Sequence, residues 1–225
     1  MNMNKIKRPT SLAEIATENI RNSIIENKFL LGQPLSEAAL AVSMGISKTP
    51  VREAFAKLQI EGLVVIVPQS GTYVFRMTTK DLRELLDLRY VLEVAALENA
   101  LKNNADGLIS KIKEITNNMK LMIVGNDIEN YIKLDYRFHK CFFDFCENSY
   151  FTEAYKLISS KIRALQNRIA IKERDRSSSL KEHEDICTFL QERNDKRAFI
   201  ELRGHFDRTI KSYDDCKSEI EVFGQ

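Results

Sequence analysis

No stretch of the 225 residues holds an apolar run approaching the length of a membrane span, and the basic start MNMNKIKRPT is followed by no apolar signal-peptide core. The chain is therefore expected to work in the cytoplasm, away from membranes. Cysteine is scarce: Cys141, Cys146, Cys187 and Cys216 have neither CxxC spacing nor the density of a disulfide framework, so reduced, buried or half-buried thiols are expected. There is no Gly-rich phosphate loop after a strand, which leaves a Rossmann or P-loop nucleotide enzyme without its fingerprint. Histidine is scarcer still, with three in the chain, and net charge is only +2. What imbalance there is lies at one end. Residues 1–76 hold 9 Lys and Arg against 6 Glu, while the remainder holds 25 against 26 acidic residues, so the front end is mildly suited to a polyanion. With 44% hydrophobic and 29% charged residues, the composition is that of a soluble protein long enough for one large or two ordinary domains.

The stretch from Leu35 to Tyr73 reads as two short helices, a tight turn and a β-hairpin, a winged helix-turn-helix. Ser36 is a good N-cap for a helix carrying Leu40, Ala41 and Met44; Gly45 supplies the permissive backbone for a sharp turn, and Ile46 plugs it. Ser47 caps a second helix, with Pro50 in its first turn and Val51, Phe55 and Leu58 on one face. The other face leads with Lys48, Thr49 and Arg52, where the helix dipole also favours phosphate. In such a motif the second helix enters the major groove and its N-terminal residues reach base edges, so Ser47, Lys48, Thr49 and Arg52 are assigned to double-stranded DNA. Arg52 is placed to read guanine bidentately; Lys48 and Thr49 could read bases or hold phosphates. Leu63–Val67 and Thr72–Phe75 are β-prone around a turn from Pro68 to Gly71, and Gly71 would let this wing approach DNA closely. Upstream, Leu12, Ile15, Ala16, Ile20, Ile24 and Ile25 recur at helical spacing and predict a supporting helix over residues 11–27. Lys5, Lys7 and Arg8 before it form a basic arm, more simply read as a solvated tail.

The run LSEAALAVSMGISKTPVREAFAKLQIEGLV, with Pro68, Gly71 and Val74, resembles the DNA-binding domain of GntR-type bacterial transcription regulators. It departs from that pattern at Ala38, Lys48 and Ser70, where arginine is common, which implies a different operator sequence.

After Met77, the sequence TTKD offers a capping box from Thr78 to Asp81 and the β-prone composition ends. The predicted fold is mainly α: a winged domain over residues 1–77, then an all-α six-helix bundle over 78–225. Helices are expected at about 79–104, 106–123, 127–146, 149–171, 178–193 and 195–217. All three histidines fall in this bundle. Asp135 and His139 stand one turn apart on a face shared with Tyr131, Leu134, Phe138 and Phe142. His183 shares its face with Ile186, Cys187 and Leu190, and His205 with Leu202, Phe206 and Ile210, so all could point into one interior. Three imidazoles and a carboxylate suit a divalent metal, with zinc first and nickel, manganese or iron as alternatives. Spacing alone leaves open that these are hydrogen-bonded core residues.

The segments LRYVLEVAALENA, DYRFHKCFFDFCEN, EHEDI and RGHF resemble the FCD ligand-binding domain, the partner domain of one large GntR subfamily. In its metal-binding members an Asp-x-x-x-His pair and two further histidines hold the ion, which implies that role for Asp135, His139, His183 and His205. The six-helix count looks like that branch. The resemblance implies a homodimer whose cavity takes a small carboxylate effector. Arg89 is a candidate for holding the carboxylate, or else forms an i,i+4 salt bridge with Glu93; Arg163 and Asn167 are a further polar pair for the effector. A ligand-responsive, non-enzymatic transcription regulator explains both halves of the chain. A metalloregulator in which the metal itself is the signal is the alternative. A metal-dependent hydrolase leaves the winged domain idle.

Overall fold

The structure, a computed structural model, describes residues 10–169 and 173–215; Lys5, Lys7, Arg8 and Cys216 lie outside the described residues. Two compact units divide the chain after Arg76.

In the first unit, α1 (Leu12–Ile25) starts with a capping box in which Ser11 and Glu14 exchange hydrogen bonds, an N-terminal signal carried by the sequence itself. Its buried stripe runs through Ala13, Ala16, Thr17, Ile20 and Ile24. Leu12 and Ile15, expected on that face, flank it and are exposed, because a stripe centred on Ala16, Ile20 and Ile24 turns them to its edge. Strand β1 (Pro34–Leu35), not foreseen, is followed by α2 (Glu37–Met44) and α3 (Lys48–Ile60). Gly45 joins the helices in the left-handed conformation, φ 65° and ψ 31°, which glycine adopts at least cost. The wing is β2 (Val64–Val67) and β3 (Gly71–Val74), antiparallel with Val64 opposite Val74 and Val67 opposite Gly71. Strand β1 adds to the other edge of β3, giving the order β1-β3-β2. Ile20, Ile24, Val51, Phe55, Leu58, Leu63 and Val74 close the core. Arg21 of α1 clasps Glu61 just past α3 with two hydrogen bonds, Nε to Oε2 at 2.7 Å and Nη2 to Oε1 at 2.6 Å.

The second unit is helical throughout its described residues. Helix α4 (Thr79–Val124) begins with the expected Thr78–Asp81 capping box. It breaks at Asn104 (φ −154°, ψ 66°), whose Oδ1 accepts the Gly107 N–H at 2.9 Å and so caps a second segment. Helices α5 (Ile128–Phe145), α6 (Ser149–Ile169), α7 (Glu173–Gln191) and α8 (Asp195–Asp215) complete the described part. Counting both parts of α4, this makes six straight segments. Helix α7 begins five residues before the predicted 178. Serines 177–179 lower helix propensity without breaking the backbone, and Arg176, Ser179 and Leu180 are buried, so packing outweighs propensity there. Leu97, Leu108, Ile112, Phe138, Phe142, Ile186, Leu190 and Leu202 form the fully buried centre.

Candidate metal centre and nucleic-acid interface

Helices α5, α7 and α8 each bring one histidine to the same point. His139, His183 and His205 are buried, and one ring nitrogen from each lies within 4.8 Å of the others. The Nε2 atoms of His139 and His183 are 3.3 Å apart. Two nitrogens bound to a tetrahedral zinc at about 2.0–2.1 Å stand roughly 3.3 Å from each other, so this pair already has the separation of two ligands. Asp135 stands at the edge of the triad, its Oδ1 3.9 Å from His183 Nε2.

The outward nitrogens are held by carboxylates. His139 Nδ1 lies 2.7 Å from Glu93 Oε2, and His205 Nδ1 lies 2.7 Å from Glu182 Oε2. A nitrogen facing a carboxylate must carry the ring's proton, which turns a bare Nε2 lone pair toward the centre. Each carboxylate is itself tied to an arginine: Arg89 Nε donates to Glu93 Oε1 at 2.6 Å, and Arg208 donates to both oxygens of Glu182 at 2.5 and 2.8 Å. His183 is fixed differently, by stacking on Phe138 at a centroid distance of 4.2 Å, and its Nδ1 has no partner. Asp135 accepts from Gln166 Nε2 at 2.7 Å through Oδ2 and from the Ser179 hydroxyl at 3.4 Å through Oδ1.

Burial sets the electrostatics. It holds His139 and His183 well below the usual imidazole range, aided by the positive charge of Arg89, so both rings are neutral and fit to donate a lone pair. It pushes the Asp135 and Glu93 carboxyls up, against the pull of neighbouring positive charges. Burial acts the same way on Glu182, but hydrogen bonds from His205 and Arg208 prevail and hold it down to about 2. Lone pairs crowded together and a carboxylate raised by burial are what a bound cation relieves, so this donor set fits a divalent metal.

Of the two readings of Arg89, the structure shows the i,i+4 salt bridge to Glu93. Its Nε is committed to Glu93, while its Nη2 is buried with no partner. The Tyr155 hydroxyl and Gln166 Oε1 are likewise buried and unpartnered. An unsatisfied buried polar group costs about 1–3 kcal/mol, so three near one charged centre are not incidental. In the predicted pair on α6, the Arg163 guanidinium lies over the Tyr136 ring at 4.9 Å, and Asn167 Nδ2 donates to the Arg163 carbonyl at 3.1 Å. The α6 residue that reaches Asp135 is Gln166. Nothing in the sequence marks Gln166 or Tyr155. Glu93 and Glu182 could have been suspected, one a turn beyond Arg89 on an apolar stripe, the other beside His183.

At the opposite end of the chain, Lys48 and Thr49 are exposed at the start of α3. Ser47 has N-cap backbone geometry (φ −76°, ψ 168°), but its hydroxyl makes no capping hydrogen bond. Arg52 is 70% exposed and bound at both Nε and Nη2 by Glu37 of α2, at 3.2 and 2.8 Å. Gly71 at the wing has φ 133°, which L side chains rarely adopt. Lys48, Thr49 and Arg52 therefore present exposed donors on one short stretch of helix.

Residues 12–74 match the gntR family of bacterial regulatory proteins, and residues 84–208 match the FCD domain. The uncharacterized HTH-type transcriptional regulator YdhC of Bacillus subtilis (strain 168) is 24% identical over 204 residues, 90% of this chain and 91% of its own. The HTH-type transcriptional repressor RspR of Escherichia coli (strain K12) is 25% identical over 204 residues, covering 89% and 88% of the two chains. Among solved structures, a putative transcriptional regulator GntR from Rhodococcus sp. RHA1 shares the fold, with a TM-score of 0.78 at 22% identity over 92% of this chain and 99% of its own. The chain belongs to the GntR family of bacterial transcription regulators and carries an FCD domain behind its DNA-binding helix-turn-helix.

Proposed function

We propose that this regulator binds a palindromic operator as a homodimer and senses a small carboxylate in the histidine-centred site of its FCD domain. The observation that carries this reading is the convergence of three buried histidines, two with a ring nitrogen held by a carboxylate, in a chain that also bears a winged helix. His139, His183 and His205 would hold a divalent ion, zinc first, with Asp135 beside them. Such an ion, when bound, supplies a Lewis-acidic seat for an anionic oxygen. Arg89, pinned at Nε with Nη2 free, would hold the other end of the carboxylate. On the DNA side, Lys48, Thr49 and Arg52 would contact the major groove, with Ser47 and Gly71 close to the backbone. Two-fold symmetry of the dimer would match the symmetry of the operator. Effector occupancy would shift the population of DNA-competent dimers, the free-energy difference passing through the segment around Arg76–Thr79. Repression is the outcome favoured by the similarity to RspR.

The test is native mass spectrometry of the purified chain and of His183→Ala, with operator fragments selected from genomic DNA. Dimers carrying about one divalent metal per subunit, and loss of that metal but not of DNA binding in the variant, are expected. Full metal content in His183→Ala would sink the site assignment. Operator affinity indifferent to metal and to every carboxylate tried would sink the sensing role.

A further inference from the structure

Three carboxylates stand around the histidine centre, and they are held in two ways. Glu93 and Glu182 each face an outward imidazole nitrogen and are bound by an arginine, Arg89 and Arg208, so their charge is largely answered before it reaches the interior. The hydrogen bonds to Asp135 come from neutral donors: Gln166 Nε2 donates to Oδ2 at 2.7 Å, and the Ser179 hydroxyl makes a long bond to Oδ1 at 3.4 Å. Oδ1 is also the oxygen turned toward the triad, 3.9 Å from His183 Nε2. The two oxygens thus have different tasks. Oδ2 carries a short bond from an amide, and Oδ1, more loosely held, is left for whatever the imidazoles bind. Gln166 reaches in from α6, which among the described residues supplies neither a histidine nor one of these carboxylates. Its Oε1 is buried with no partner, and the reverse orientation of the amide would set oxygen against oxygen, so it is the carboxylate that fixes how this side chain lies.

A neutral donor has a particular effect on a carboxylate that is to meet a cation. An arginine in place of Gln166 would pair with Asp135 and cancel the charge that draws the ion, while an apolar side chain would leave both oxygens free to swing onto it. An amide ties one oxygen and leaves the net charge intact. We infer that Gln166 is a positioning residue that makes Asp135 a one-oxygen ligand, and that it thereby favours zinc over harder ions, such as manganese, that gather oxygen ligands. Three imidazoles and a single carboxylate oxygen are a four-donor set of the kind zinc takes, whereas a carboxylate free to offer both oxygens adds a donor of the type manganese prefers. The inference rests on the reading that the histidines hold a divalent ion, and it names the residue that sets the fourth ligand and the choice of ion.

The full-length chain is stripped of metal and titrated with zinc and with manganese, no organic acid being present, in competition with a chromophoric chelator. In Gln166→Met, which keeps the length of the side chain and loses the donor, the ratio of zinc to manganese affinity should fall by about fivefold or more relative to the parent chain. A smaller change, including one in which both affinities drop together, would overturn the proposal, because a merely structural role weakens both ions alike. Circular dichroism checks helical content, and Gln166→Leu replaces Gln166→Met if that content is lost. The parent chain supplies a second reading that needs no variant. In infrared difference spectra of zinc-loaded against stripped protein, the carboxylate bands that change should show the wide splitting between antisymmetric and symmetric stretches that marks a one-oxygen ligand. The narrow splitting of a two-oxygen ligand would overturn the proposal while leaving the metal centre in place. Failure of both ions to bind the parent chain would overturn the metal reading and this inference together.

Discussion

At the scale of single residues, the centre works by ordering protons. Glu93 faces His139 Nδ1 and is held in turn by Arg89, so the imidazole can offer only Nε2 inward. Glu93→Gln keeps the shape but offers the ring an amide in place of a charge. Zinc affinity should fall about 10–100-fold, as it does when a carboxylate orienting a metal-bound histidine is lost, and competition with a chromophoric chelator would measure it. A variant with unchanged affinity would mean that Glu93 only packs. Arg52 and Glu37 form a different kind of pair, open to solvent. Arg52 hydrogen bonds hold the Glu37 carboxyl below the usual carboxylate range. A depressed carboxyl favours the paired state above its ordinary pKa and loses that contribution as pH falls through the lowered value. NMR titration of the Glu37 side chain should therefore give a midpoint below that of an ordinary glutamate, returning to the ordinary one in Arg52→Ala. An ordinary midpoint in the parent protein would show that the Arg52–Glu37 pair does not persist in solution.

At the scale of elements, the recognition helix is only as well placed as the helices behind it. Helix α3 packs on α1 through Val51, Phe55 and Leu58, and the Arg21–Glu61 clasp fixes where α3 ends. Both partners are mostly shielded from solvent, at 17% and 25% exposure, so removing one strands the other in a poor place for a charge. Arg21→Ala should destabilise the winged unit by about 1–3 kcal/mol. The expected result in a denaturant melt followed by circular dichroism is an early transition confined to that unit, with loss of DNA binding at temperatures the parent protein tolerates. An unaltered melt would make the clasp a surface ornament. In the second unit, the break at Asn104 ends the segment that carries Arg89 and Glu93 and starts the next on a side-chain cap. The centre thus draws on α4, α5, α6, α7 and α8, and its geometry depends on how those helices pack.

At the scale of the whole molecule, a metal held by the three histidines would be linked to stability. A ligand that binds only the folded state stabilises it by about 2.7 kcal/mol at a hundred times its Kd. For a unit of about 150 residues, that amounts to a rise in Tm of roughly 5–10 °C. Scanning calorimetry of the zinc-loaded chain before and after chelation should show the melting of the helical unit falling by this margin, with the winged unit unmoved. Identical traces would argue that the three imidazoles act as core residues. Because DNA affinity in such proteins rests on cationic contacts to phosphate, operator binding should also weaken steeply with salt, while Arg52→Ala should chiefly relax base preference.

Local chemistry along the chain determined a good deal of this protein. Ser36, Gly45 and Pro50, the β-prone runs around Gly71 and the Thr78–Asp81 box are signals between near neighbours, and the helices and the wing followed from them. The Asp135–His139 spacing is of the same kind, since a helix sets residues four apart on one face. Tertiary structure decided what depends on contacts between distant segments. Strand β1 exists because β3 offers an edge to Pro34 and Leu35, α7 starts early because Arg176, Ser179 and Leu180 are buried, and Arg52 rests on Glu37 fifteen residues away. Glu93 meets His139 across 46 residues, and Gln166 meets Asp135 across 31. A hydrogen bond between such residues leaves no period in the sequence, because it is made by the packing of helices whose order along the chain does not fix which side chains face each other.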